Sequence, residues 1–370
     1  MNTLCRSLSV TACLLLVNAF QLTGTALAQP DANLFDRVDR NKDGKLTREE
    51  LPEQIRRFFD QMDLDKNGSI SREEDAKIRQ RLQQRRNQNP AQQQPRLPEG
   101  TVAHRNIPYV ENGGPRQQLD VYVPAKAEGK LPLVVWIHGG GWQNGSKERT
   151  QALYLLEHGY VVASINYRLT DVASFPAQIH DCKAAIRFLK QQADQYHIDA
   201  SRVGVWGSSA GGHLVALVGT SGDAAELEGE LGPLDQNSLV QAVCDYYGPT
   251  DFTQMDAQAK GKGSIRHDNP NSPEAKLLGG PVQEKKDVAK AASPITYVTK
   301  NDPPFLIVHG DEDPLVPVGQ SEILQQKLVE AGVDSTLHVV KGGKHGPFNS
   351  PEQHEAVRKF FDRVLKAERE

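Results

Sequence analysis

Between Arg202 and Val218 the chain runs from a short apolar stretch, through Gly207-Ser208-Ser209-Ala210-Gly211, into a second apolar stretch. No other segment limits the fold as much. Arg202-Val203-Gly204-Val205-Trp206 reads as a short buried strand, and Gly212-His213-Leu214-Val215-Ala216-Leu217-Val218 reads as a helix. A G-x-S-x-G between strand and helix is a tight turn in which the two backbones nearly touch, so its flanking positions must be small. The turn pushes its central residue, Ser209 rather than Ser208, out above the sheet. The five-residue pattern also occurs in ordinary glycine-rich turns. Its weight comes from the strand and helix around it, and from what lies upstream and downstream.

Strand and helix signals alternate over the C-terminal three-quarters of the chain. Strands are expected at 119–123, 131–137, 160–166, 202–206, 239–246, 304–308 and 335–340, and helices at 149–157, 177–196, 320–331 and beyond Pro351. Such alternation argues for a mostly parallel sheet covered by helices on both faces. The polar segment 252–294 interrupts it as a cap-like insertion or a surface excursion.

Three further segments complete a reactive constellation. His138-Gly139-Gly140-Gly141-Trp142 ends the second strand, and consecutive glycines leave main-chain N–H groups free to face a developing oxyanion. The expected donors are Gly140, Gly141 and Ala210, with His138 a structural residue fixing the loop. The acid and the histidine should follow the serine in that order. Asp313, in the loop after Phe305-Leu306-Ile307-Val308-His309-Gly310, is preferred as the acid over Asp311, which is placed to cap the turn. His345, in the glycine-rich loop after the last strand, is the base, while His309 and His338 read as structural.

With these residues in place, residues 100–370 resemble the α/β-hydrolase fold. They are most similar to secreted carboxylesterases of the feruloyl and acetyl esterase type and their hormone-sensitive-lipase-like relatives. The match runs through His138 to Trp142, Asn166-Tyr167-Arg168-Leu169, Gly207 to His213, Tyr247-Gly248-Pro249-Thr250-Asp251, His309 to Pro317 and His345-Gly346. The elbow departs from the Gly-Asp-Ser-Ala-Gly of the lipase-like group and is closer to the feruloyl-esterase-like and formamidase-like branches. The resemblance implies ester hydrolysis through an acyl-enzyme, with Ser209, Asp313 and His345 as catalytic residues and no cofactor for the chemistry. A small-molecule or polysaccharide-linked ester would be the substrate. The rival chemistry is amide hydrolysis, arylformamidase-like or by a serine peptidase. The rival class is a calcium-binding interaction protein with an inactive hydrolase domain.

Ahead of this domain, within residues 29–82, lie two tandem loops, Asp39–Glu50 and Asp63–Glu74, that fit the EF-hand pattern. A loop wrapping a hard cation needs alternating oxygen donors, a glycine at the sharp turn and a closing bidentate carboxylate. The expected Ca2+ ligands are Asp39, Asn41, Asp43, Lys45, Thr47 and Glu50 in the first loop, and Asp63, Asp65, Asn67, Ser69, Ser71 and Glu74 in the second. Lys45 and Ser69, at loop position 7, would contribute main-chain carbonyls. Leu46 and Ile70 should pair the loops through a short strand contact. The loops follow so closely that Leu51 to Met62 must serve as the outgoing helix of one and the incoming helix of the other, which argues for weak sites of about 10⁻⁴ to 10⁻³ M. The calcium would be non-catalytic, and the pair could serve a protein partner.

The first 28 residues read as an export signal, with Arg6 before an apolar run from Leu8 to Phe20 and Ala26-Leu27-Ala28 as the cleavage pattern. A secreted or periplasmic protein is expected, with no stable membrane span. Residues 83–98, rich in Gln, Arg and Pro, read as a flexible tether to a domain starting at residue 99. A net charge of −4 without a basic stripe excludes nucleic acid as a partner. Cys182 and Cys244, the cysteines beyond the signal, are expected to be buried free thiols.

Overall fold

In the computed structural model, residues 35, 38, 39, 41–51, 56, 59–78, 97–125, 127–259 and 263–366 are described. The export signal read over residues 1–28, and all of the tether except residues 97 and 98, lie outside them. The chain divides into two compact units, Met1–Gln94 and Pro95–Glu370, with the division a few residues before the expected boundary.

In the smaller unit, β1 (Lys45–Leu46) pairs antiparallel with β2 (Ile70–Ser71), and Leu46 lies opposite Ile70. Helix α1 (Phe59–Met62) precedes the second loop. Phe35, Val38, Leu46, Leu51, Phe59, Met62 and Ile70 close into one small core.

The larger unit is built on an eight-stranded sheet. Its strands are β3 (Val102–Pro108), β4 (Gln118–Val123), β5 (Leu131–Ile137), β6 (Val161–Ile165), β7 (Ile198–Ser208), β8 (Ala242–Tyr246), β9 (Phe305–Gly310) and β10 (Ser335–Val340). The spatial order is β10-β9-β8-β7-β5-β6-β4-β3. β4 is antiparallel to both its neighbours, and every other pairing is parallel. β3 was not expected from the sequence, because none of its residues is buried and they carry no apolar alternation.

Helices cover both faces: α2 (Ala177–Gln191), α3 (Ala210–Thr220), α4 (Met255–Ala259), α5 (Pro273–Leu278), α6 (Lys286–Ala292), α7 (Gly319–Glu330) and α8 (Pro351–Leu365). The continuous apolar run of β5 follows from this. Leu133, Val135 and Ile137 enter the core beneath α2 and α3, while Val134 and Trp136 enter the core beneath α8.

Two expectations need correction. The helix expected over 149–157 is a 3-10 helix, Ala152–His158, ended by Gly159 in the left-handed region. The strand expected from residue 239 begins only at Ala242, because Leu239 is exposed and its carbonyl accepts from Lys190 Nζ. The insertion over 252–294 is also more than a polar excursion, since Phe252, Met255, Leu277, Leu278, Val282, Ala289 and Ala292 join the main core. Its apolar residues are spread among polar ones at helical spacing, which hides their burial in a composition count.

Candidate active site

β5 and β7 are sheet neighbours, yet the chain leaves β5 toward β6 on one side and β7 toward β8 on the other. Ligand crevices of open α/β sheets form at such switch points, beyond the carboxyl ends of the strands. Ser209 sits there, between β7 and α3, with φ 56° and ψ −122°. This conformation is unfavourable for a residue with a side chain, and packing on both sides holds it. A Cβ on Gly207 would lie 2.3 Å from Gly211 O, and one on Gly211 would lie 2.1 Å from Ile137 O. The small residues of the turn are therefore dictated by backbone contact.

Three loops from distant parts of the chain meet at this turn. His345, after β10, has Nε2 2.9 Å from Ser209 Oγ and Nδ1 2.7 Å from Asp313 Oδ2. A carboxylate only accepts, so Nδ1 carries the proton and Nε2 is free to accept the Ser209 hydroxyl. The Asp313 side chain is fully buried, which alone would raise its pKa, but hydrogen bonding by His309 and His345 outweighs burial and holds it below the ordinary carboxylate range. Asp311 faces away, its Oδ1 accepting the Gly342 N–H at 2.6 Å. A hydroxyl, an imidazole and an ionised carboxylate in this order can draw the proton from Oγ as it attacks an electrophile.

The glycine loop after β5 lies against the same serine. A Cβ on Gly139 would meet Ser208 O at 2.6 Å and Ser209 Cβ at 3.3 Å. Gly140 and Gly141 have φ of 118° and 59°, and neither their N–H groups nor that of Ala210 bonds to another described main-chain group. Two histidines brace the loop. His138 stacks on Tyr167 at 4.4 Å and donates from Nδ1 to Gly139 O at 2.8 Å, while Tyr167 donates its hydroxyl to His138 O. His213 accepts the Trp142 indole N–H on Nδ1 at 3.2 Å and donates from Nε2 to Ala292 O at 2.7 Å. Burial pushes both imidazoles down to about 4, so they are neutral props.

The insertion supplies the next wall. Pro273, first residue of α5, lies where a Cβ on Gly141 would meet it at 3.2 Å, and Lys276 donates to Gln143 Oε1 at 2.9 Å. Tyr247, with φ 45°, sets its ring edge-on to His345 at 4.7 Å. Sequence reasoning did not single out Tyr247 or the bracing role of His213. The tyrosine carried no signal beyond its place in the Tyr247 to Asp251 motif, and the histidine lay unread one turn past the elbow. Cys182 and Cys244 are buried free thiols.

In the smaller unit, carboxylate oxygens of Asp63, Asp65 and Glu74 come within 4.8 Å of one another. No such grouping forms in the first loop among the described residues. Gly44 and Gly68 take φ of 79° and 88°, as the sharp turn demands. Asp39 and Asp63 accept the main-chain N–H groups of Asp43 and Gly44, and of Asn67 and Gly68. Asn41 and Asp65 bond the N–H at position 5, and Asp43 and Asn67 the N–H at position 7, of Lys45 and Ser69. Thr47 and Ser71 instead give their hydroxyls to Glu50 and Glu74 at 2.9 Å, and Ser71 also accepts the Glu74 N–H at 3.2 Å, as a helix cap does. Acidic oxygens converging on a glycine turn fit a hard cation.

The sequence profile of the BD-FAE family matches residues 119–328, which span Gly140, Gly141, Ser209, Ala210 and Asp313. The chain belongs to the BD-FAE family. His345 lies beyond the stretch matched by the BD-FAE profile. An EF-hand profile matches residues 31–52 and 55–74. The chain is similar to Esterase LipQ of Mycobacterium tuberculosis, 30% identical over 249 residues covering 66% of this chain and 57% of that protein. It spans about half the length of the mycobacterial relatives it matches. Among solved structures it resembles a truncated carbohydrate esterase from gut microbiota, at 34% identity and a TM-score of 0.67, over 72% of this chain and 98% of that one. It also resembles Esterase B of Lactobacillus rhamnosis, at 26% identity and a TM-score of 0.62, over 79% and 96%.

Proposed function

We propose that this BD-FAE chain is a carboxylic ester hydrolase acting through an acyl-enzyme on Ser209. The observation that carries the reading is the unbroken chain Ser209 Oγ, His345 Nε2, His345 Nδ1, Asp313 Oδ2, facing the N–H groups of the glycine loop. His345 takes the hydroxyl proton as Ser209 attacks the ester carbonyl. The N–H groups of Gly140, Gly141 and Ala210 receive the developing oxyanion, and Asp313 stabilises the imidazolium. His345 then gives the proton to the departing alcohol. In the second half, water attacks the acyl group by the same route and frees Ser209.

The substrate class we favour is an acetyl or feruloyl ester on a carbohydrate. Likeness to a carbohydrate esterase over nearly the whole of that chain supports it. We further propose export, from the signal pattern of residues 1–28, and Ca2+ binding in the smaller unit. Asp63, Asp65, Asn67, Ser71 and Glu74, with the Ser69 carbonyl, would hold one ion, and Asp39, Asn41, Asp43, Thr47 and Glu50, with the Lys45 carbonyl, the other. Bound Ca2+ would supply structural charge pairing and no step of the chemistry.

Turnover of 4-nitrophenyl acetate and butyrate, methyl ferulate and acetylated xylan, with a matching anilide, tests the reading. Ester turnover by the intact chain, lost in a folded Ser209→Ala variant, is the expected result. An inactive wild type, a variant that retains turnover, or cleavage of the anilide in preference to esters would refute it.

A further inference from the structure

We propose that His309 is a positioning residue for the reaction: it holds the Asp313 carboxylate from the side opposite His345 and thereby sets how strongly Asp313 supports the base. The inference rests on the esterase reading above. The sequence alone presents His309 as the end of a strand, four residues before the acid.

The geometry assigns its proton. His309 Nε2 lies 2.9 Å from the Val316 carbonyl, which can only accept, so Nε2 is the protonated nitrogen. The same N–H lies 3.3 Å from Asp313 Oδ2. The Ser321 hydroxyl, 2.7 Å from Nδ1, fixes the ring from the other side, and ring, carboxylate and hydroxyl are all buried. Asp313 Oδ1 meanwhile accepts the N–H groups of Leu315 and Val316 at 2.8 and 3.0 Å. An ionised carboxylate has about four acceptor positions. Here three N–H donors bond it, two from the main chain and one from His345, and the His309 N–H, bonded to the Val316 carbonyl, lies against Oδ2 as a longer, shared contact.

The carboxylate therefore cannot rotate without breaking at least one of these bonds. The two side-chain donors share Oδ2, so each weakens the charge that the other meets. The other titratable groups around this pair are Asp245 on β8, whose field reaches His309, and Tyr247, whose ring centroid lies 6.3 Å from that of His309. Asp245 is fully buried and pushed up to about 6 by burial, above the range of an ordinary carboxyl, with one oxygen unpartnered. Beside a carboxyl so placed, a second N–H on Asp313 helps to keep the negative charge on Asp313, where His345 needs it.

Removing the His309 donor concentrates charge on Oδ2 and frees the carboxylate to turn. Charge concentration favours the protonated form of His345, so the acid limb of the pH profile moves to higher pH. Loss of orientation lowers kcat with little change in KM. The experiment compares wild type, His309→Leu, His309→Gln and Ser321→Ala in hydrolysis of 4-nitrophenyl acetate from pH 5 to pH 9. Gln can present an amide N–H near the position of Nε2. The expected result for His309→Leu is a kcat lower by about 10- to 100-fold, the range of a hydrogen bond to a charged group, and an acid limb displaced upward. His309→Gln should recover most of both, and Ser321→Ala should show the same changes in smaller measure.

A His309→Leu enzyme within about twofold of wild type, or one with lowered kcat and an unmoved acid limb, overturns the proposal, since a packing role alone would leave the limb in place. Where His309→Leu does not fold, Ser321→Ala decides: wild-type kcat with an unmoved limb overturns it. An inactive wild type refutes the esterase reading instead, so the two failures are distinct.

Discussion

Mild acid should weaken the larger unit through His138 and His213, the two imidazoles that brace the glycine loop. Burial pushes each down to about 4, whereas in an unfolded chain each titrates near 6.5, by the ordinary value for histidine. Between these values the unfolded chain binds more protons than the folded one, so stability rises with pH across the window and falls on acidification. From pH 7 to pH 5, linkage gives a loss of about 2 kcal/mol per imidazole and about 4 kcal/mol for the pair. Total stabilities are commonly about 5–15 kcal/mol, so the loss is large. Asp313 acts in the same direction but lower on the scale. Its folded pKa is depressed, so its contribution is complete above about pH 4 and is lost only as pH falls further.

The chain has three tryptophans, Trp136, Trp142 and Trp206, all buried and all in the larger unit. Urea unfolding followed by tryptophan fluorescence therefore reports on that unit alone. The expected outcome is that acidification from pH 7 to pH 5 costs wild type about 4 kcal/mol more than a variant lacking both imidazoles, at constant m, because the buried Asp245 and Asp302, pushed up to about 6, gain stability in acid and offset part of the loss in both proteins alike. A His138→Asn, His213→Gln double variant keeps a donor toward Gly139 and Ala292 but cannot titrate. Its stability should hold or rise over the same interval, leaving a gap of about 4 kcal/mol from wild type in the response to acid. A double variant whose response to acid equals that of wild type would show that these imidazoles are not held neutral by burial.

Asp313→Asn should lower kcat/KM for an acetyl ester by about 10⁴-fold while the fold persists. Its amide can serve either the Leu315 and Val316 N–H groups or the two histidines, and an N–H turned toward His345 Nδ1 forces the tautomer that cannot accept from Ser209. A loss below about tenfold, in steady-state assays at pH 7, would contradict this. In the smaller unit, titration calorimetry should detect Ca2+ uptake that weakens in Glu74→Gln, because Glu74 converges with Asp63 and Asp65. The same variant should leave kcat on a soluble ester unchanged. Equal uptake by variant and wild type would remove the second loop as a site.

Much of this arrangement was legible in the primary sequence. Apolar runs such as Leu131 to Ile137, alternating with helical stretches, fix a parallel α/β sheet, because only burial on both faces tolerates strands without polar positions. The spacing of oxygens and glycines in Asp39–Glu50 and Asp63–Glu74 fixes two cation-type loops, because a local chain must wrap its own ligands. Gly207 and Gly211 mark the turn, because a Cβ at either position would lie 2.1 to 2.3 Å from a main-chain oxygen. These are local demands, and a local pattern can express them.

The approach of groups distant in sequence was decided by the tertiary structure. His309, His338 and His345 all follow or lie in the last strands, and nothing local separates them. The sheet order brings His345 to Ser209, leaves His338 exposed on β10, and turns His309 inward onto Asp313. The polar insertion likewise concealed that Pro273 would meet Gly141 and that Ala292 would anchor His213. Hydrogen-bond partners supplied across long sequence separations depend on how the strands are ordered and how the loops above them pack, and neither is written in the periodicity of any one segment.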